Sequence, residues 1–212
     1  MAKTEIPPIA IDLDGGTDIG AAIVDADLLL IDDGAGGTMR KTAASRLKTY
    51  IGSGLSNADY WYKTADQTVA SATLTTITGW ANKTNNLAGG NEIGSVMSVS
   101  SGLFTFPATG IWYVAVRARI VLDGSSRYNN FYISTTTDDG SNYVNEALGS
   151  SAITRSESAA TTVDSQTYAL LDIQNASEDK VRFQLQPSAE VNVNGDGTYS
   201  NVAAIFLKLG DT

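Results

Sequence analysis

The sequence predicts a mainly β protein: a C-terminal antiparallel sandwich, with jelly roll as the leading topology, preceded by a small N-terminal module holding one short strand and one helix. Three observations carry this prediction. After residue 67, about eight runs rich in β-branched and aromatic residues follow one another with no helical period between them. Their separators are turn material: Pro107-Ala108-Thr109-Gly110, Asp123-Gly124-Ser125-Ser126, Asp138-Asp139-Gly140 and Asn194-Gly195-Asp196-Gly197. Finally, residues 1–55 carry their charges in blocks, whereas residues 67–212 spread theirs thinly. The Gly/Ser/Asn run from Gly52 to Asp59 marks the boundary, so residues 56–66 read as a linker.

Within the first part, Ile6-Pro7-Pro8-Ile9 is extended, because each proline biases its predecessor away from the helical region. Leu28-Leu29-Leu30-Ile31 is a short apolar run closed by Asp32-Asp33-Gly34, which reads as a strand. A helix is expected over residues 38–51, where Met39, Ala43, Leu47 and Ile51 form one apolar stripe, with Thr38 as N-cap and Gly52 as stop. A piece this small buries little surface alone, so it calls for a partner.

The strands of the second part are expected at residues 68–77, 96–100, 102–106, 110–122, 128–134, 161–173, 180–186 and 201–209. Val181 to Gln186 alternates cleanly between apolar and polar, as a half-wet strand should. Two others do not. Trp112, Val114, Val116, Ala118 and Ile120 line one face of their strand, but Ile111, Tyr113 and Ala115 make the other face apolar too, until Arg117 and Arg119. In the last strand Val202, Ala204 and Phe206 oppose Ala203, Ile205, Leu207 and Leu209. A sandwich sheet needs one apolar face, so the surplus points to a second buried surface, most simply a subunit interface.

Composition removes whole classes of chemistry. There is no Cys and no His, which excludes disulfides, zinc fingers, iron–sulfur clusters, thiol nucleophiles and imidazole-dependent triads. The net charge of −9 repels a phosphate backbone and argues against nucleic acid as a partner. No apolar stretch approaches membrane-spanning length, and the N-terminus has no long apolar region of the secretory kind.

Two resemblances follow. Residues 102–114, Gly-Leu-Phe-Thr-Phe-Pro-Ala-Thr-Gly-Ile-Trp-Tyr-Val, with the closing strand over 201–209, resemble the C1q/TNF-like jelly roll across residues 67–212. Members form compact trimers with the inner sheet on the threefold axis. That resemblance implies a trimer core of Ile111, Tyr113, Ala115, Ile205, Leu207 and Leu209. The match departs over residues 138–160, which are rich in Ser, Ala and Asn. Residues 7–52 resemble an N-terminal module of phage fibre-like virion proteins. The strings that carry it are Asp14-Gly15-Gly16-Thr17-Asp18, Asp25-Ala26-Asp27-Leu28-Leu29-Leu30-Ile31-Asp32-Asp33-Gly34, Arg40-Lys41 and Ser45-Arg46-Leu47-Lys48-Thr49-Tyr50-Ile51. It implies a part that docks a fibre or spike onto the particle through Asp27, Asp32, Asp33, Arg40, Lys41, Arg46 and Lys48, whose opposed charge blocks suit docking.

Other motifs carry less. Ala10-Ile11-Asp12-Leu13-Asp14-Gly15-Gly16-Thr17 is similar to the first phosphate loop of actin/Hsp70-type ATPases, but that fold needs far more chain. An EF-hand loop from Asp12 requires Gly and Glu where Thr17 and Ile23 stand. Gly34-Ala35-Gly36-Gly37 lacks the Lys of a phosphate loop. Glu92, Glu146, Glu157, Asp164, Asp172, Glu178, Asp179 and Glu190 supply carboxylates for a glycosidase pair, with solvated loop charge the better explanation. Tyr60, Trp61 and Tyr62 sit at the domain junction, and Tyr128, Phe131 and Tyr132 are candidate receptor contacts, for glycan or protein. The expectation is a non-enzymatic, cofactor-free phage virion protein. It is a homotrimer docked to the tail, exposed on the particle and presenting its jelly roll to the host surface. Alternatives are a capsid head fibre or decoration protein, and a polysaccharide-degrading tail spike.

Overall fold

The computed structural model describes residues 22–32, 39–51, 55–82, 92–155, 159–196 and 198–211. The chain falls into two units, Met1–Ser53 and Gly54–Thr212.

In the first unit β1 (Leu28–Asp32) pairs antiparallel with β2 (Met39–Ala43), and α1 (Ala44–Ile51) follows directly. The expected helix is therefore shorter than its apolar stripe. Residues 39–43 spend their backbone groups on β1, in register from Leu28–Ala43 to Asp32–Met39. The helix starts where the hairpin ends, and the N–H groups of Ala44 and Ser45 donate to the carbonyls of Asp27 and Asp25. Thr38, Gly52, Asp33 and residues 1–21 lie outside the described residues.

The second unit runs β3 (Asn57–Lys63), β4 (Gln67–Val69), β5 (Thr75–Thr76), β6 (Trp80–Asn82), β7 (Ser98–Ser100), β8 (Leu103–Thr105), β9 (Gly110–Leu122), β10 (Ser126–Thr136), β11 (Val144–Ile153), β12 (Thr161–Ile173), β13 (Lys180–Pro187), β14 (Val191–Val193) and β15 (Ala203–Gly210). All described pairings are antiparallel. One sheet has β9 at its centre, flanked on one side by β12 along its whole length and on the other by β15 and then β14; β3 and β6 continue beyond β15. The second sheet has the order β11-β10-β13-β8-β7, with β5 extending β13. This is the mainly β, antiparallel jelly roll that the sequence predicts.

The two sheets close over an aromatic cluster. Phe104 of β8 lies 5.4 Å from Trp61, 5.6 Å from Trp80, 5.5 Å from Phe183 and 5.0 Å from Phe206, in edge and tilted arrangements that favour ring quadrupoles. The Phe-Thr-Phe-Pro stretch is thus the hub of the core, with Phe106 placed 5.2 Å from Trp112. The β7–β8 hairpin that presents Phe104 turns at Ser101 and Gly102, with φ of 51° and 84°. Two positive φ values in a two-residue loop match the twist of the strands. A Cβ at Gly102 would stand 2.5 Å from the Ile77 carbonyl oxygen, so only glycine fits.

Three departures from the sequence reading concern the sandwich. Residues 56–66 are not a linker: β3 occupies them and pairs with β15 from Tyr62–Ala203 to Asn57–Lys208. Their alternation of polar and aromatic residues buries Asn57, Asp59, Trp61 and Lys63 on one side. The single strand expected over residues 68–77 is two, β4 and β5, in different sheets, separated by a turn at Ala72 with φ of 56°. Residues 144–153, within the unassigned stretch, form β11 against β10 despite their Asn, Gly and Ser content. Gly149 is required there, because a Cβ would stand 2.0 Å from the Gln166 carbonyl oxygen of β12, where the edges of the two sheets meet.

Asp59 is 3% exposed and has no cationic partner among the described residues. Its carboxylate instead accepts from Trp61 Nε1 at 2.6 Å, the Met97 N–H at 2.8 Å and Asn82 Nδ2 at 2.6 Å, tying β3, β6 and the chain before β7 together. Asp59→Ala leaves these donors unpaired and is expected to cost about 2–4 kcal/mol. Asp59→Asn, which keeps an acceptor for two of them, is expected to cost under about 1.5 kcal/mol. Urea unfolding of the two variants at one fixed protein concentration checks the order; equal stabilities would refute the role.

Candidate functional site

The outward side of the β12–β9–β15–β3 sheet is apolar across four strands. In register, Leu170, Tyr113, Leu207 and Ala58 form one row, and Tyr168, Ala115, Ile205 and Tyr60 the next. Ile111 and Leu209 extend the face toward the bulged end of β15, where the register shifts between Lys208 and Gly210. Opposite it, Trp112, Val114, Val116, Ala118 and Ile120 are the wholly inward row of β9. The structure therefore brings all six residues named for self-association onto one face. It adds Tyr168 and Leu170, at 69% and 65% exposure the most open of the set, beside Leu209 at 55% and Ile205 at 39%. The rings of Tyr113 and Tyr168 lie 6.1 Å apart. A concavity of about 490 Å³ opens between Tyr60, Tyr113, Tyr168 and Ile205. Four strands about 4.8 Å apart, over about five residues of length, make a face on the order of 300 Å², the scale of the largest apolar patch on an ordinary monomer, which often serves an interaction.

Sequence reasoning missed the β12 contribution because Thr162, Asp164, Gln166 and Asp172 share the outward side with Tyr168 and Leu170. The local pattern reads as a wet face. Its available signal was the unusual Tyr-x-Leu pair alternating with Ala169 and Leu171.

Charge borders the face at one end. Arg119 Nε is 3.3 Å from Asp164 Oδ1, and its Nη1 donates to Asn201 Oδ1 at 3.1 Å. Arg117 Nη2 donates to the Ser200 carbonyl at 3.1 Å. Both guanidinium groups are thus held by neighbours. Of the carboxylates considered for hydrolysis, Glu146 accepts from Thr135, Glu178 from Asn175, Asp172 from the Gln174 side chain, Asp179 from the N–H groups of Gln174 and Asn175, and Asp164 faces Arg119, whereas Glu157 lies outside the described residues. Among the described residues no group of three acidic side chains is arranged to hold a metal ion, and no helix is long and apolar enough to cross a membrane.

The candidate receptor contacts divide. Phe131 is 0% exposed and belongs to the core, so it is withdrawn as a contact. Strand alternation is the reason: Phe131 points inward with Asn129 and Ile133, while Tyr128, Asn130 and Tyr132 point outward. Of the docking residues, Lys41 and Arg46 are exposed, and Asp27 is half-buried, its carboxylate accepting the Val24 N–H at 2.8 Å. Asp32 and Arg40 lie on β1 and β2 and Lys48 on α1, whereas Asp33 falls outside the described residues.

No protein-family model matches the chain, and no curated protein matches it in sequence. Solved structures do match. The structure of Eiger TNF from S. frugiperda superposes with a TM-score of 0.55 at 12% identity, over 73% of this chain and 93% of that one. Murine APRIL, crystallised at pH 5.0, matches with a TM-score of 0.48 at 10% identity, over 72% of this chain and 98% of that one. The Eiger likeness, with the strand order above, establishes a TNF-like jelly-roll fold.

The loop after β10 carries a carboxyl held well below its ordinary range. Asp138 is pulled down to about 2 from an ordinary 3.8, chiefly by the Thr136 hydroxyl that donates to it and then by the Asn142 N–H and side-chain amide. A depressed carboxyl contributes stability that is present above its unfolded value and lost as pH falls through its folded one. The melting temperature of the unmodified chain should therefore converge on that of Asp138→Asn between about pH 4 and pH 2. Thermal unfolding at stepped pH checks this, and a constant gap across that range would refute it.

Proposed function

We propose that this chain is a non-enzymatic structural protein of a bacteriophage particle. It assembles as a homotrimer, docks to the tail through residues 1–55 and presents its jelly roll on the particle surface for host attachment. The observation that carries the reading is the exposed apolar face of the β12–β9–β15–β3 sheet, which a solitary protomer leaves in water. Support for three copies comes from the likeness to C1q/TNF-like proteins. Support for the virion comes from the resemblance of residues 7–52 to phage docking modules. Trimeric and multi-copy display would turn weak individual contacts into firm attachment.

Light scattering on the full chain is expected to give three times the chain mass. Ile205→Asp and Leu170→Asp, both at exposed outward positions, are expected to give a single-chain mass with an unchanged β spectrum. A single-chain mass for the unmodified protein would refute the trimer.

Antibody raised against residues 67–212 and imaged on intact particles is expected to decorate the tail. Decoration of the capsid would instead identify a head fibre, and bare particles would refute the virion reading.

A further inference from the structure

The outward face of the second sheet has a different chemistry from the apolar face. Tyr128, Asn130 and Tyr132 alternate along β10 on its outer side. Asn130 stands in register with Ser150 of β11 and Gln186 of β13, and Tyr132 with Leu148 and Gln184. Gln184 is buried at 4% exposure and underlies the strip rather than lining it, and Thr76 of β5 continues the row beyond it. None of these residues carries a formal charge. The adjacent row along β13 holds Arg182, whose guanidinium is stacked on Tyr143, 3.2 Å from the ring centroid. The amides are fixed in place: Gln186 Nε2 donates to the Ala72 carbonyl at 3.3 Å, Gln184 Nε2 to Thr76 Oγ1 at 3.4 Å, and Ser150 Oγ to Asn130 Oδ1 at 2.8 Å. Asn130 Nδ2 and the hydroxyls of Tyr128 and Tyr132 have no partner among the described residues.

From this face we infer a binding platform for a neutral polysaccharide. A tyrosine ring offers an apolar surface to the C–H face of a sugar, and its hydroxyl, with the amide of Asn130, offers polar groups to the sugar's own hydroxyls. Four residues along a strand separate Tyr128 from Tyr132 by about 13 Å, with Asn130 midway, which suits several rings of one extended chain. The two rows themselves carry no charge, the neighbouring Arg182 is taken up by the Tyr143 ring, and the net charge of −9 repels anionic polymers. The platform lies on the opposite sheet from the apolar face, so self-association leaves it open. The inference rests on the host-facing role proposed for the jelly roll and gives that role a ligand class.

The test is affinity electrophoresis of the full chain through gels containing dextran, a mixed-linkage β-glucan or galactomannan, with polygalacturonate as the anionic comparison. Retardation by at least one neutral polymer and by no anionic one is expected. Tyr128→Ala and Tyr132→Ala should each weaken it about tenfold, as loss of one ring contact would. Asn130→Asp, which keeps size and fold but adds charge, should weaken it similarly, while Thr162→Ala, at an exposed position on the other sheet and outside its apolar rows, should not. Absence of retardation, equal retardation by polygalacturonate, or retention unchanged by the Tyr128, Tyr132 and Asn130 substitutions would overturn the platform. Undecorated particles with glycan binding intact would overturn only the virion reading, and decorated particles without glycan binding only the platform.

Discussion

Strand β9 has two apolar faces, and a single sandwich covers one of them. Its inward row, Trp112 to Ile120, is wholly buried between the sheets, and neighbours pair with it on both edges. Nearly every other element is positioned by that arrangement. β12 follows β9 for thirteen residues, and β15 and β14 divide its other edge. Once the inward row is committed to the core, the pleat forces Ile111, Tyr113 and Ala115 outward. Burying them within the same unit would require a third layer, and the described residues of that unit supply none. The outward apolar surface is thus a consequence of sheet geometry and of the residues chosen at alternate positions, and those residues differ in kind from the Thr, Asp and Gln that share their side farther along β12.

The core also relies on polar groups that are satisfied in place. Asp59 stands among aromatic rings with its oxygens met by an indole, an amide and a backbone N–H. Lys63, four residues on and facing the same way, donates to the Thr78 carbonyl at 2.6 Å. Burial pushes its ammonium below the ordinary lysine value, and Asp66 opposes that push. These groups fix the register of β3 on β15, because a slip of one residue would carry Asp59 and Lys63 to the surface and Tyr60 and Tyr62 into the core. At the edge where the two sheets approach, small side chains replace large ones. Gly149 has no room for a methyl group, and Ser151 and Ser165 join hydroxyl to hydroxyl across the gap.

The legible parts of the sequence were those where periodicity and burial agree. β9 and β12 announce themselves through long runs of β-formers, β13 through its clean alternation and β15 through its apolar length, and the turn at Pro107–Gly110 separates β8 from β9. β3 was hidden by a Gly/Ser/Asn preface that resembles a linker, although Tyr60-Trp61-Tyr62 holds the strand signal. β11 was hidden because its stability lies in pairing and close approach rather than in its own residues. In the first unit the apolar stripe of residues 39–51 fits a helix, yet cross-strand pairing to β1 wins over local preference for its first five positions. Of the surface residues, alternation alone separates Tyr128 and Tyr132 from Phe131, whereas the partners they meet in register on β11 and β13 come from distant sequence and needed the fold.

A two-layer sandwich has two outward faces, and here they are built from different chemistry. On the β9 sheet, Tyr and branched aliphatic side chains dominate, and the arginines at the border are already held by Asp164, Asn201 and Ser200. On the β10 sheet, amides, hydroxyls and two tyrosines stand in an uncharged strip. Apolar surface gains most from being removed from water altogether, which favours a rigid partner of matching shape such as another copy of the chain. A polar aromatic strip loses little by staying wet, and is suited to ligands that are themselves half apolar and half hydroxylated. Keeping the two apart on opposite layers would let the proposed association proceed without consuming the proposed recognition surface. Exposed acidic side chains in loops, such as Asp139 and Glu178, would discourage both faces from adhering to the wrong neighbour.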